Sequence, residues 1–121
     1  MKTLAWEPVG SRVTCDPPPM NTDYDVLVLV SEKDKRHMDE YALPLGYVKG
    51  GSIDATINYP ATPHSRFISY RKGDTNLIVT SDVEFFNRFM AATKVAKQLN
   101  LLKKSDRIAL FQAVLYGNYV P

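Results

Sequence analysis

Asp23 and Asp25 are the residues whose type and spacing point most directly to chemistry. They stand at the mouth of Tyr24-Asp25-Val26-Leu27-Val28-Leu29-Val30, a run of β-branched and large apolar residues. Such a run has the character of a strand covered on both faces. Side chains two apart on a strand share a face, so the two carboxylates point the same way. Side-by-side carboxylates repel unless a cation sits between them. Hard divalent ions such as Mg²⁺ take oxygen ligands of this kind, usually together with substrate phosphates. Upstream, Gly10-Ser11 makes a turn through which backbone amides can approach a phosphate closely. The plain structural alternative is a pair of turn acids ahead of a buried strand.

Gly10-Ser11, then the stretch Arg12 to Thr22, then Asp23-Tyr24-Asp25-Val26 resembles the signature of the nucleotidyltransferase superfamily, whose fold is polymerase-beta-like. The resemblance implies that Gly10 and Ser11 contact a nucleoside triphosphate, and Arg12 beside them is a further candidate for nucleotide binding. It further implies that Asp23 and Asp25 hold Mg²⁺ and act as catalytic acids. Two later stretches, Phe67 to Thr80 and Asp106 to Gly117, look similar to small nucleotidyltransferase-like proteins encoded by tailed bacteriophages. That likeness implies the cytoplasm of a host cell as the place of action.

The pattern departs from the superfamily at its third carboxylate, which belongs on a later strand between hydrophobic residues. The matching strand here is Thr75 to Thr80, and the residue in that place is Asn76. A neutral amide can coordinate a cation weakly through its oxygen, but it cannot serve as a base for an attacking hydroxyl. Asp74, two residues earlier, is the candidate for a displaced third catalytic acid.

The elements that must position these residues follow from the chain. Thr3 to Val9 is a short strand, confined to an edge or an early end by Pro8. Pro17-Pro18-Pro19 makes Arg12 to Thr22 an extended loop, either a stiff cover for a phosphate or a surface connector. Ser31 caps a charged helix running to Tyr41, with Asp34 in its first turn and Met38 and Tyr41 as a thin apolar stripe. Pro44 ends it. Leu45 to Pro63 is a long connection rich in Gly, Pro, Asn and Thr, with Ile53 and Ile57 as a possible apolar contact. Lys49-Gly50-Gly51-Ser52 lacks the spacing of a phosphate loop.

Arg66 to Tyr70 and Asn76 to Thr80 form a hairpin about the turn Arg71-Lys72-Gly73-Asp74. Arg71 and Lys72 either neutralise triphosphate charge or keep the hairpin tip soluble. Ser81-Asp82-Val83-Glu84 reads as a capping box with Ser81 at N-cap. The helix after it reaches Leu99, with Phe85, Phe89, Ala92, Ala96 and Leu99 on its apolar face. A last helix starts near Ser105 and stops at Gly117, with Ile108, Leu110, Phe111, Val114 and Leu115 facing the core.

At 121 residues and net charge +2, residues 1–121 read as one domain with an ordinary core and no strong demand for a polyanion. The single Cys15 excludes an internal disulfide and suits a reducing cytosol. No apolar run reaches membrane-spanning length, so the expectation is a cytoplasmic protein with no membrane partner. The expected fold is α+β, a small mixed sheet with helices packed on one face. Two functions fit. One is Mg²⁺-dependent transfer of a nucleotidyl group to an acceptor, RNA or protein, with Asp74 and Asn76 at the acceptor side. The other is a non-catalytic effector that binds a nucleotide, a nucleic acid or a host protein; Asn76 favours it.

Overall fold

The computed structural model describes residues 2–20, 22–50 and 67–117. Their apolar alternation builds a five-stranded mixed sheet in the order β1-β2-β5-β4-β3. The strands are β1 (Ala5–Val9), β2 (Tyr24–Leu29), β3 (Val48–Lys49), β4 (Ile68–Lys72) and β5 (Thr75–Thr80). The sheet is centred on the parallel pair β2 and β5, with Asp25 opposite Asn76 and Leu27 opposite Ile78. The other neighbours run antiparallel, β1 along β2, β4 along β5 and β3 along β4. Pro8 lies in β1, where an edge strand tolerates a missing N–H. The β4–β5 hairpin turns on Gly73 and Asp74 alone, with Gly73 at φ 59°. Arg71 and Lys72, expected in the turn, are the last residues of β4.

Both faces of the sheet are covered, as the apolar run of β2 requires. On one face Val9, Leu27 and Ile78 pack against α4 (Val83–Leu99) and α5 (Lys104–Tyr116). Phe85, Phe89 and Phe111 form the centre of this layer, with Phe89 and Phe111 edge to face at 5.0 Å. This is the expected packing of long helices on one face. On the other face α3 (Met38–Ala42) adds Met38 and Ala42 to Val28, Val30, Tyr70 and Val79. The Tyr70 hydroxyl donates to Asp39, which also pairs with Lys49 at 3.3 Å. The Tyr70 hydrogen bond, followed by Lys49, holds the Asp39 carboxyl below its ordinary range.

Five local readings change. The charged segment after Ser31 is two short helices, α2 (Glu32–Arg36) and α3, broken at His37 with φ −104° and ψ 15°. Ser31 caps α2 as expected, accepting the Asp34 N–H at 3.1 Å. The buried stripe is Met38 and Ala42, while Tyr41 faces solvent. Ser11–Thr14 is one helical turn, α1, because Gly10 accepts the N–H groups of Val13 and Thr14 at 3.0 and 3.1 Å before the prolines begin. The cap of α4 is Asp82, which accepts the Phe85 N–H at 3.1 Å, while Ser81 turns to Glu32. Gly117 ends α5 in extended rather than left-handed backbone. Most of the long connection, with Ile53, Ile57, Pro63 and Arg66, lies outside the described residues. Among the described residues no helix is long and apolar enough to cross a membrane.

Candidate functional site

Three strands bring the polar residues together at one end of the sheet. Asn76 opens the central row: it lies opposite Asp25 on β2 and opposite Arg71 on β4. Period-two alternation places Asp23, Asp25, Asn76 and Arg71 on the face of Leu27 and Ile78, at the end of the larger core. The Asn76 side-chain amide, Nδ2, donates to Asp25 Oδ1 at 3.0 Å and to Asp23 Oδ2 at 3.3 Å. Arg71 Nη2 reaches Asp23 Oδ1 at 3.0 Å, and Arg71 Nε donates to the Gly73 carbonyl at 3.1 Å. A carboxylate only accepts, so the NH₂ of Asn76 is the end that faces the acids. That leaves Asn76 Oδ1 buried with no hydrogen-bond partner among the described residues.

Gly10 closes the site from the β1 side. Val9 pairs with Asp25, so the chain leaves β1 directly over that carboxylate. A Cβ at Gly10 would lie 2.1 Å from Asp25 Oδ2, and Gly10 takes φ 82°. Glycine is therefore demanded both by the left-handed backbone and by the closeness of the acid. Ser11 Oγ pairs with Thr22 Oγ1 at 2.7 Å, and Arg12 Nε donates to the Thr22 carbonyl at 2.9 Å. The Arg12 guanidinium stacks over the Tyr24 ring at 3.9 Å. Thr22 has one signal in the sequence, its place directly before Asp23. It ties the Gly-Ser turn to the start of β2 and so fixes the acids relative to Gly10.

Burial raises the Asp25 pKa above its ordinary value, and the neighbouring Asp23 adds to the rise; the Asn76 and Arg71 contacts oppose it without cancelling it. Two of the candidate residues stay apart from this cluster. Lys72 points the other way along β4: its Nζ donates to the Leu45 carbonyl at 2.8 Å and rests over the Tyr47 ring at 5.7 Å. Asp74 is exposed in the turn ahead of β5, where its carbonyl accepts the Tyr24 N–H at 2.8 Å.

The conserved protein GrpB from Enterococcus faecalis has this fold. Its solved structure superposes with TM-score 0.56 over 93% of this chain and 81% of GrpB, at 17% identity. At that identity the likeness speaks to the fold alone, a single small domain with a mixed five-stranded sheet. No family model and no curated protein matches the chain.

The donor set bears on a divalent ion in a definite way. Among the described residues no group of three or more His, Cys, Asp and Glu side chains could hold a metal ion. Two carboxylates and a neutral amide make a poor cage for a bare cation. They suit an ion that brings phosphate oxygens and water with it, since Mg²⁺ is commonly held by one or two carboxylates plus substrate phosphates. The buried Asn76 oxygen, unpartnered among the described residues, is a further donor available to such an ion after rotation of the amide.

Proposed function

We propose that this protein binds a nucleoside triphosphate together with Mg²⁺ at Asp23 and Asp25, and that it transfers the nucleotidyl group weakly or not at all. One observation carries the reading: Asn76, the neutral counterpart of the third acid, sits across from Asp25 and bonds to both carboxylates. Two acids remain to hold the ion, and Gly10 leaves the edge of the site free of side chain. Ser11 and Arg12 flank that opening, and Arg71 supplies positive charge beside Asp23. Bound there, Mg²⁺ would neutralise charge on the triphosphate oxygens.

Among the described residues the site holds no group placed to deprotonate an acceptor. An amide has no basic lone pair for that task. Asp74 does not replace it, because it is exposed in the turn before β5 rather than beside Asp25. Binding without efficient turnover is the consequence.

Isothermal titration with the four ribonucleoside triphosphates, with and without Mg²⁺, tests this. At least one should bind in the micromolar range and only with Mg²⁺, while pyrophosphate release stays at background. Asp23→Ala and Asp25→Ala should each abolish the binding and leave the circular dichroism spectrum unchanged. Unchanged affinity in both variants would remove the metal site; steady pyrophosphate release would restore a working transferase.

A further inference from the structure

We infer that Arg71 is an internal counter-ion that makes this site accept a metal–nucleotide complex and reject the bare ion. The inference rests on the triphosphate reading above and assigns the way that site selects its ligand. Arg71 neutralises Asp23 in the absence of ligand, through the 3.0 Å contact from Nη2. Asn76 holds the other oxygen of Asp23 and one oxygen of Asp25. A divalent ion arriving alone must therefore displace a guanidinium that has nowhere better to go. It also meets that guanidinium's repulsion at short range.

A metal–triphosphate complex changes the balance because it brings its own anions. Arg71 can leave Asp23 for the phosphate oxygens, and a guanidinium pairs with phosphate through two parallel N–H bonds. The side chain is free enough to make that exchange: Arg71 is 40% exposed and Asp23 30%. Its Nε bond to the Gly73 carbonyl anchors it to the hairpin turn, so the exchange is a swing of the guanidinium rather than a departure.

The other candidate cations do not fill this role. Lys72 is engaged by the Leu45 carbonyl on the far side of β4, and Arg12 is engaged by the Thr22 carbonyl and the Tyr24 ring. Neither has an ion pair with Asp23 or Asp25 among the described residues. The position of Arg71 is also set by register rather than by chance, since it pairs with Asn76, which pairs with Asp25.

The distinguishing result is a pair of changes with opposite sign. In Arg71→Gln, affinity for Mn²⁺ alone, read by electron paramagnetic resonance, should rise by about tenfold as the competing charge is lost. Affinity for Mg²⁺–tripolyphosphate, read by calorimetry, should fall by about tenfold as the phosphate contact is lost. Arg71→Lys keeps the charge, so its Mn²⁺ affinity should stay near that of the parent while tripolyphosphate binding weakens less than in the glutamine variant. A residue that merely supported the fold would lower both affinities together, and that outcome overturns the inference. So does an unchanged Mn²⁺ affinity in Arg71→Gln when the parent binds a nucleoside triphosphate with Mg²⁺; the binding site then stands and only the counter-ion role falls. If the parent binds none of the four nucleotides, the site reading fails, and this inference fails with it.

Discussion

Gly10 is where one missing atom decides the geometry of a whole carboxylate. Its φ of 82° and ψ of −175° lie in a region that essentially only glycine occupies. An added methyl would also fall on Asp25 Oδ2. Gly10→Ala should therefore lower stability by about 1–3 kcal/mol in urea unfolding and cut Mg²⁺–nucleotide affinity through displacement of Asp25. Asp25 carries a different signature. Its folded pKa is raised above the ordinary 3.8, chiefly by burial. A raised acid pKa means that the folded state holds its proton more tightly than the unfolded one. The associated stability is fully present below pH 3.8 and is lost as pH rises through the folded value. Asp25→Asn removes this dependence, so its melting temperature should exceed that of the parent at pH 7, with the gap closing as pH falls through the raised folded value and gone below pH 3.8. A gap that is independent of pH would show that the carboxylate carries no net burial cost. The common face of Asp23 and Asp25 was legible in the sequence because alternation on a strand is a local rule. The Arg71–Asp23 pair was not, because it depends on the register of β4 on β5 and of β5 on β2, which no local pattern states.

Helix ends show where local chemistry underdetermines an element. Ser81 and Asp82 are both good N-cap residues, and the sequence alone favours Ser81 because Glu84 completes a capping box. The fold chooses Asp82, since Ser81 Oγ is taken by Glu32 Oε2 at 2.8 Å, a contact from the far-off helix α2. Asp82→Ala should then cost about 1 kcal/mol in urea unfolding, the usual worth of a cap, while Ser81→Ala, which loses only an exposed hydrogen bond, should cost clearly less. Equal losses would return the cap to Ser81. The far end of α4 falls at Leu99, as expected, with Asn100 directly after it in left-handed backbone at φ 47°. The segment after Ser31 did not run on as one helix: His37 leaves helical geometry between α2 and α3, and only Met38 and Ala42 of that segment are buried. Charged residues fill both pieces, and so thin an apolar stripe gives little information on where a helix breaks.

At the scale of the molecule, the site exists only because β2 and β5 lie side by side. Asp23 and Asn76, which touch, are 53 positions apart in sequence, and Asp25 and Asn76 are 51 apart. Their strands also carry Leu27 and Val79, each fully buried on opposite faces of the sheet. Opening the β2–β5 pair to dismantle the site would therefore expose both cores, so the site should open only with the molecule. A ligand bound there should stabilise the entire fold by RT ln(1 + [L]/Kd), about 2.7 kcal/mol at a hundredfold excess over Kd. Two measurements should agree on that figure. Thermal unfolding with Mg²⁺ and a nucleoside triphosphate should show a gain in stability that is absent in Asp23→Ala. Native-state hydrogen exchange should show the same gain at the slowest amides of β2 and β5, including those well away from the carboxylates. If protection rose only around Gly10, Asp25 and Asn76 while the central strands kept their original exchange rates, ligand binding would be a local event at the sheet's end. The parallel pair would then not be the element that joins folding to binding.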